Sequence, residues 1–271
     1  MAARPSGRRE FPFWLLAAAL LGLLFLWLIV NDGNYWIIFR ALLRGVATTL
    51  WVSLVAFALA AALGLIVALG RLSRFRVLRE VTTFYVEIVR GIPVLVLLFY
   101  MAFVGAPALV HAWNVVFAWP ISAGILPDLN IRTFDMTWRA IVALMISYSA
   151  FLSEIFRAGI EAVPRAQVEG AWALGLSRGT TFRKVVLPQA IRTVLPPLGN
   201  DFVAMIKDSA LVSSLGVQDI TQLGKVYSAS TFRFFETYNV VAFLYLVMTI
   251  SLSLLVRLLE RWLKRRGWTG T

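Results

Sequence analysis

No cysteine occurs in this 271-residue chain, and acidic residues are scarce, 14 against 26 lysines and arginines. The missing thiols exclude disulfides, thiolate nucleophiles and thiolate metal sites together. The single histidine, His111, has no second histidine or nearby carboxylate to share a metal with, so it is placed at headgroup level. Charge as a whole is low, 15% of residues with 60% hydrophobic, where soluble domains carry roughly one quarter charged. That balance excludes an ordinary soluble domain and predicts an integral membrane protein. Phe11 to Val30, Val46 to Gly70, Gly91 to Val104 and Thr237 to Val256 contain no Asp, Glu, Lys or Arg, and three of these runs reach the roughly 20 residues a spanning helix needs. Two further apolar segments, Ala140 to Phe156 and Gln189 to Val217, carry charges or helix breakers. The expected fold is all-α and polytopic, with about six transmembrane helices.

A net charge of +12 would suit either nucleic acid or a membrane surface, and placement decides between them. Seventeen basic residues fall on one side of the expected spans: Arg4, Arg8 and Arg9; Arg71, Arg74, Arg76 and Arg79; Arg157, Arg165, Arg178, Arg183 and Lys184; and Arg257, Arg261, Lys264, Arg265 and Arg266. Seven fall on the other, Arg40, Arg44, Arg132, Arg139, Lys207, Lys225 and Arg233. Both termini and the loop around residue 170 are therefore expected in the cytoplasm, and no nucleic-acid partner is expected. The N-terminal apolar stretch resembles a signal peptide in its basic flank, but Asn31-Asp32-Gly33 offers no small-residue cleavage site, which predicts a retained first span. Residues 1–44 read as a tail with an extra transmembrane helix, 45–260 as one transmembrane domain and 261–271 as a basic cytoplasmic tail.

Within residues 105–136, Ala108 to Leu126 is apolar enough to tempt a seventh span, but that would move the basic loop and the basic C-terminus outside. Pro107, His111, Asn114, Pro120 and Pro127 interrupt the stretch, so it is expected to be an external loop with an interfacial segment. The fifth span, with Pro188, Pro196, Pro197 and Gly199, is expected to be the least regular, bordering protein or water where broken backbone is tolerated.

A loop over 161–188 lies between two apolar segments. Pro164 suits a helix start and Gly175 a helix stop, while Val168, Trp172 and Leu176 stand four residues apart as an apolar stripe. Such a stripe on a cytoplasmic loop needs cover, from the membrane surface or from a partner.

Glu169-Gly170-Ala171, three residues, Gly175, nine residues, Val185, one residue and Leu187-Pro188 resemble the signature of permease subunits of ABC importers, with Gly170 for alanine and Val185 for isoleucine as departures. Ile88-Val-Arg-Gly-Ile-Pro, Phe151-Leu-Ser-Glu-Ile-Phe-Arg-Ala-Gly-Ile and Lys207-Asp-Ser-Ala-Leu are similar to its polar amino acid uptake branch. The resemblance implies an ABC type I importer permease fold in the cytoplasmic (inner) membrane of a prokaryote. It implies that Glu169, Gly170, Ala171, Trp172 and Gly175 form a coupling helix docking on a cytoplasmic ATPase dimer, with Leu187 and Pro188 starting the next span. It also implies a second permease subunit, identical or not, and an external solute-binding protein. No Gly-x4-Gly-Lys-Ser/Thr sequence occurs, so the chain is not expected to be an enzyme by itself. No cofactor is expected on it, ATP being used by the partner.

Ionisable groups inside a membrane are costly and mark partners or cavities. Glu87 with Arg90, and Glu154 with Arg157, stand at i, i+3 and can pair on their own helices. Arg90, Asn200, Asp201, Lys207, Asp208 and Ser209 suit either structural pairing or a translocation path, where both charge signs would serve a zwitterionic solute. The expected function is ATP-driven import of polar amino acids by alternating access. The alternatives are a gradient-driven secondary transporter, which needs no ATPase-docking loop, and a non-transporting scaffold.

Overall fold

The computed structural model describes residues 13–132 and 134–265. Arg4, Arg8, Arg9 and Arg266 lie outside the described residues, among which no strand occurs.

The first helix, α1 (Phe13–Asn31), leads directly into α2 (Gly33–Arg71). Asp32 caps α2, its carboxylate accepting from the Asn34 amide at 2.8 Å, which satisfies a donor the helix start leaves free. At 1.5 Å per residue the 39 residues of α2 reach about 58 Å, well beyond the hydrocarbon core. Its buried positions, Tyr35, Ile38, Leu42, Gly45, Thr49 and Val52, alternate in steps of three and four and so form one face. Small residues on that face permit close approach, the route to helix association when lipid supplies no hydrophobic drive. A Cβ on Gly45 would lie 2.7 Å from the Ile220 backbone, and one on Gly64 would lie 2.9 Å from the Ser149 carbonyl. α2 is the scaffold helix that its glycines and alanines predict.

α3 (Arg76–Gly91) is a separate amphipathic helix that ends where the uncharged run from Gly91 begins. Ile92 is extended, φ −99° and ψ 129°, as the ring of Pro93 requires of its predecessor. A new helix starts after Pro93 as α4 (Val94–Tyr100), passes through a π-helical turn at Met101–Gly105 and continues as α5 (Ala106–Val116). The crossing thus extends to Val116, twelve residues past the expected end at Val104, and Pro107 does not break it. In the π register Pro107 would have donated to the Ala102 carbonyl, and it has no N–H. The Arg139 guanidinium fills that place at 3.1 Å and also donates to the carbonyls of Phe134 and Ile131 at 2.7 and 2.6 Å. Beyond the short α6 (Ala118–Ser122) the chain turns back as expected for an external segment. There the Asn114 amide holds Leu129 through both backbone groups, at 2.8 and 3.1 Å.

α7 (Met136–Glu161) follows, capped by Asp135, and lies along α2. After the loop helices α8 (Arg165–Ala173) and α9 (Arg178–Thr181) and a π-helical turn at Phe182–Val186 comes α10 (Leu187–Asp208), then a 3-10 turn at Ser209–Leu215, α11 (Ile220–Thr231) and α12 (Phe234–Arg265). α10 stays helical through Pro196 and Pro197, so the irregularity expected in mid-span sits at its two ends. Among the described residues, Gly33–Arg71, Val94–Val116, Met136–Glu161 and Phe234–Trp262 are long and apolar enough to cross a membrane. Four of the six expected spans are thus found, while α1 is apolar only over the shorter Ala19–Asn31 and the 22-residue α10 carries charges.

Buried Asp219, absent from any sequence-based expectation, ties the outer ends together. It caps α11 through the Gln222 amide at 2.8 Å and accepts from the Tyr245 hydroxyl at 3.1 Å, beside the close contact at Gly45. Gly45→Leu is expected to cost about 1–3 kcal/mol by overpacking, read as a lower unfolding temperature of the purified chain in detergent.

Candidate functional site

Pro164 precedes α8 at φ −57°, a fixed geometry suited to a helix start where a missing N–H does no harm. The helix ends in paired reverse bonds: Gly175 N–H donates to the Trp172 carbonyl at 2.9 Å and Leu176 N–H to the Ala171 carbonyl at 3.1 Å. This closure needs a left-handed residue just past the helix, and Gly175 takes it at φ +79°. Ala171 is buried against the rest of the chain, whereas Glu169, Gly170 and Trp172 are exposed and Leu174 is 84% exposed. The expected stripe is therefore split: Val168 and Leu176 are half-buried, while Trp172 faces outward under the Arg178 guanidinium, 5.9 Å from its ring centre. A Cβ on Gly170 would meet nothing within 4 Å, so this departure from the family pattern answers no crowding inside the chain.

Ser177 caps α9 through the Thr180 amide, and the π turn delivers Leu187 and Pro188 to the first turn of α10. Two residues missed in the sequence join the loop to that span. The Gln189 side chain donates from α10 to the Gln167 side chain on α8 at 2.7 Å and to the Val185 carbonyl at 2.9 Å. Glutamines carry no motif of their own, and 22 positions separate these two.

Above the loop, Glu154 on α7 gathers three arginines from three helices. Arg71 of α2 bonds it directly, Arg157 holds it at 2.9 Å and Arg90 of α3 stands 3.7 Å away. Arg157 also donates to Glu161 at 2.6 Å. The i, i+3 expectation thus holds for Glu154 with Arg157. Arg90, however, reaches Glu154 and the Phe151 ring, 5.5 Å from its centre, instead of Glu87. Charges from separate helices met here because bilayer and protein offer few other partners for an arginine.

On α10, Asp208 accepts from the Tyr148 hydroxyl of α7 at 2.8 Å, and Asp201 lies two turns below on the same face. Lys207 points elsewhere: it is exposed and lines a recess of about 310 Å³ with Tyr245 and Thr249 of α12. Ser209 is buried, its hydroxyl turned to the Ile206 carbonyl at 2.7 Å. Arg192, Asn200 and Lys207 are all exposed and share one side of α10. The structure therefore joins Asp201, Asp208 and Tyr148, and separates them from Asn200 and Lys207.

A helical permease core with a capped, outward-facing loop helix defines a class, and the comparisons agree on it. The chain belongs to the family of binding-protein-dependent transport system inner membrane components, whose pattern matches residues 60–266. It is 34% identical to the glutamine transport system permease protein GlnP of Escherichia coli K12 over 229 residues, 84% of this chain and 95% of that one. It is 33% identical to the probable amino-acid permease protein YxeN of Bacillus subtilis over 223 residues, 82% and 91% of the two chains. Among solved structures it resembles an amino acid ABC transporter, with 33% identity, a TM-score of 0.70 and coverage of 86% of this chain and 97% of that one. It shares the fold of the MetNI methionine ABC transporter at 18% identity and a TM-score of 0.58, over 86% and 99% of the two chains. The chain is a multi-pass permease subunit with the ABC type I importer fold, and not an ATPase subunit.

Glu154→Gln would leave Arg71 and Arg90 without their carboxylate and Arg157 with Glu161 alone, at a cost of about 2 kcal/mol. The expected result is a lower thermal unfolding midpoint in detergent, whereas Glu87→Gln leaves the midpoint unchanged.

Proposed function

We propose that this chain imports polar amino acids across the cytoplasmic membrane of a prokaryote, as half of a permease dimer driven by two ATPase subunits and supplied by an external solute-binding protein. The observation that carries the reading is α8. It starts at Pro164, is closed at its C-terminus by Gly175 and is tied to α10, yet Glu169 and Leu174 are exposed and Trp172 is covered only on the side where Arg178 lies over its ring. A rigid helix with an unpartnered apolar and acidic face suits docking into a groove of another protein. Closure of an ATPase dimer would then pull α8, and Gln189 would pass the movement to the start of α10, rocking the spans between outward and inward states. Nothing in this scheme asks a cofactor of the permease, since ATP is hydrolysed by the partner.

The second permease is supported by the exposed side of α10. Arg192, Asn200 and Lys207 cannot face hydrocarbon cheaply, so a second subunit or a water-filled path must cover them. The path itself would use Asp201, Asp208 and Tyr148, acidic and hydroxyl groups suited to a solute ammonium, with Lys207 near the opposite subunit for a carboxylate and Arg90 close to the cytoplasmic exit. Amino acids as cargo follow from the names of the relatives together with this arrangement of both charge signs.

In the assembled transporter, Glu169→Arg and Gly175→Val are each expected to lower ATP-driven uptake about tenfold or more with the chain still present in the membrane. The latter forces a branched side chain into a left-handed position at about 1–2 kcal/mol. Normal uptake and normal ATPase recruitment in both variants would refute the docking role. Asp208→Asn is expected to lower uptake at unchanged assembly, measured with labelled amino acid in vesicles; loss of assembly instead would make the Tyr148 contact structural.

A further inference from the structure

A cavity of about 300 Å³ lies between α2, α7 and α10 near the loop, lined by apolar side chains that include Leu65, Phe156, Ile160, Phe182, Leu187 and Val194. That volume is at the lower end of the roughly 300–1,000 Å³ of ligand pockets. Its position follows from one tight crossing: a Cβ on Gly159 would collide with Val194, so α7 and α10 touch there and leave room beside the contact. Leu65 and Ile191 on its lining are 41% and 48% exposed, so the cavity opens outward.

Two observations bear on its occupant. The lining residues of α10 and the exposed Arg192, Asn200 and Lys207 lie on opposite faces of that helix, about half a turn apart at 3.6 residues per turn. Whatever covers the polar side, the cavity faces away from it, toward hydrocarbon. Second, the π turn that gives Phe182 to the cavity carries Arg183 and Lys184 immediately after it. Both line a shallow recess with Thr180, both are exposed, and neither makes an ion pair among the described residues. An apolar slot with unpaired cations at its cytoplasmic end matches a molecule with a long apolar chain and an anionic head.

We propose that this cavity is a binding site for an anionic phospholipid of the cytoplasmic leaflet, with one acyl chain between α2, α7 and α10 and its phosphate on Arg183 and Lys184. Because Phe182 lies in the π turn between α9 and α10 and Leu187 opens α10, a bound lipid stiffens the connection between the loop and its span. The site is independent of which solute is carried.

The test is native mass spectrometry of the purified full-length chain in detergent, with phosphatidylglycerol and phosphatidylcholine offered at equal concentration. Retention of phosphatidylglycerol is expected to be about tenfold or more above that of phosphatidylcholine. Arg183→Ala with Lys184→Ala should remove the preference, and Leu65→Trp, which fills the mouth at a partly exposed position, should lower retention of both lipids. Displacement of phosphatidylglycerol by millimolar inorganic phosphate would reduce the site to a phosphate site and overturn the proposal. Equal retention of the two lipids by the unaltered chain would also overturn it, as would crosslinking of a second permease chain through this face. Both variants are checked for an unchanged unfolding temperature, and Arg183→Lys, which keeps the charge, is expected to keep the lipid.

Discussion

Close approach of backbones along α2 is the constraint on which the rest depends. Without a hydrophobic drive between helices in lipid, association comes from van der Waals contact and satisfied polar groups, and both need short distances. Gly45 lets the Ile220 backbone in beside it, and Gly64 lets the Ser149 carbonyl approach. These two contacts set where α7 and α11 lie, and from them follow the Tyr148 to Asp208 bond, the buried cap at Asp219 and the meeting of Arg71 with Glu154. A longer side chain at either glycine would push these helices apart and strain the contacts that join them, the Arg71 to Glu154 ion pair among them.

Polar satisfaction then decides local shape. Two breaks in regular helix, the π turns at Met101–Gly105 and Phe182–Val186, stand just ahead of a proline, whose missing N–H leaves a carbonyl without its helical donor. Arg139 meets three carbonyls, Ala102 in the π turn ahead of α5 and Ile131 and Phe134 in the turn before α7. At the inner end, the Gln189 side chain adds a bond to the Val185 carbonyl and another to Gln167 of the loop helix. The π turns before Ala106 and Leu187 both precede a proline by a single residue.

Much of this was legible in the sequence, because composition and periodicity report burial directly. The uncharged runs located α2 and α12, and the loop over 161–188, with Pro164 as its helix start and Gly175 as its stop, located α8. What stayed hidden depends on long-range pairing. Pro107 read as a stop because its lost hydrogen bond is visible locally, while Arg139, which compensates for it, is 32 positions away. Glu87 looked like the partner of Arg90 because i, i+3 spacing is local, whereas Glu154 is brought near by the packing of α3 against α7. Asp219 and the glutamine pair carry no periodic or motif signal, and their contacts exist only after the helices are assembled.

The bridge from Gln167 to Gln189 joins two neutral amides. Ion pairs weaken as salt rises and break when a carboxylate is protonated, but this contact responds to neither. A transporter whose loop was fastened to its span by charge would change its mechanical linkage with every change in cytoplasmic ionic strength. Here the fastening is indifferent to the medium, and sensitivity to the surroundings is left to the arginines and lysines exposed around it.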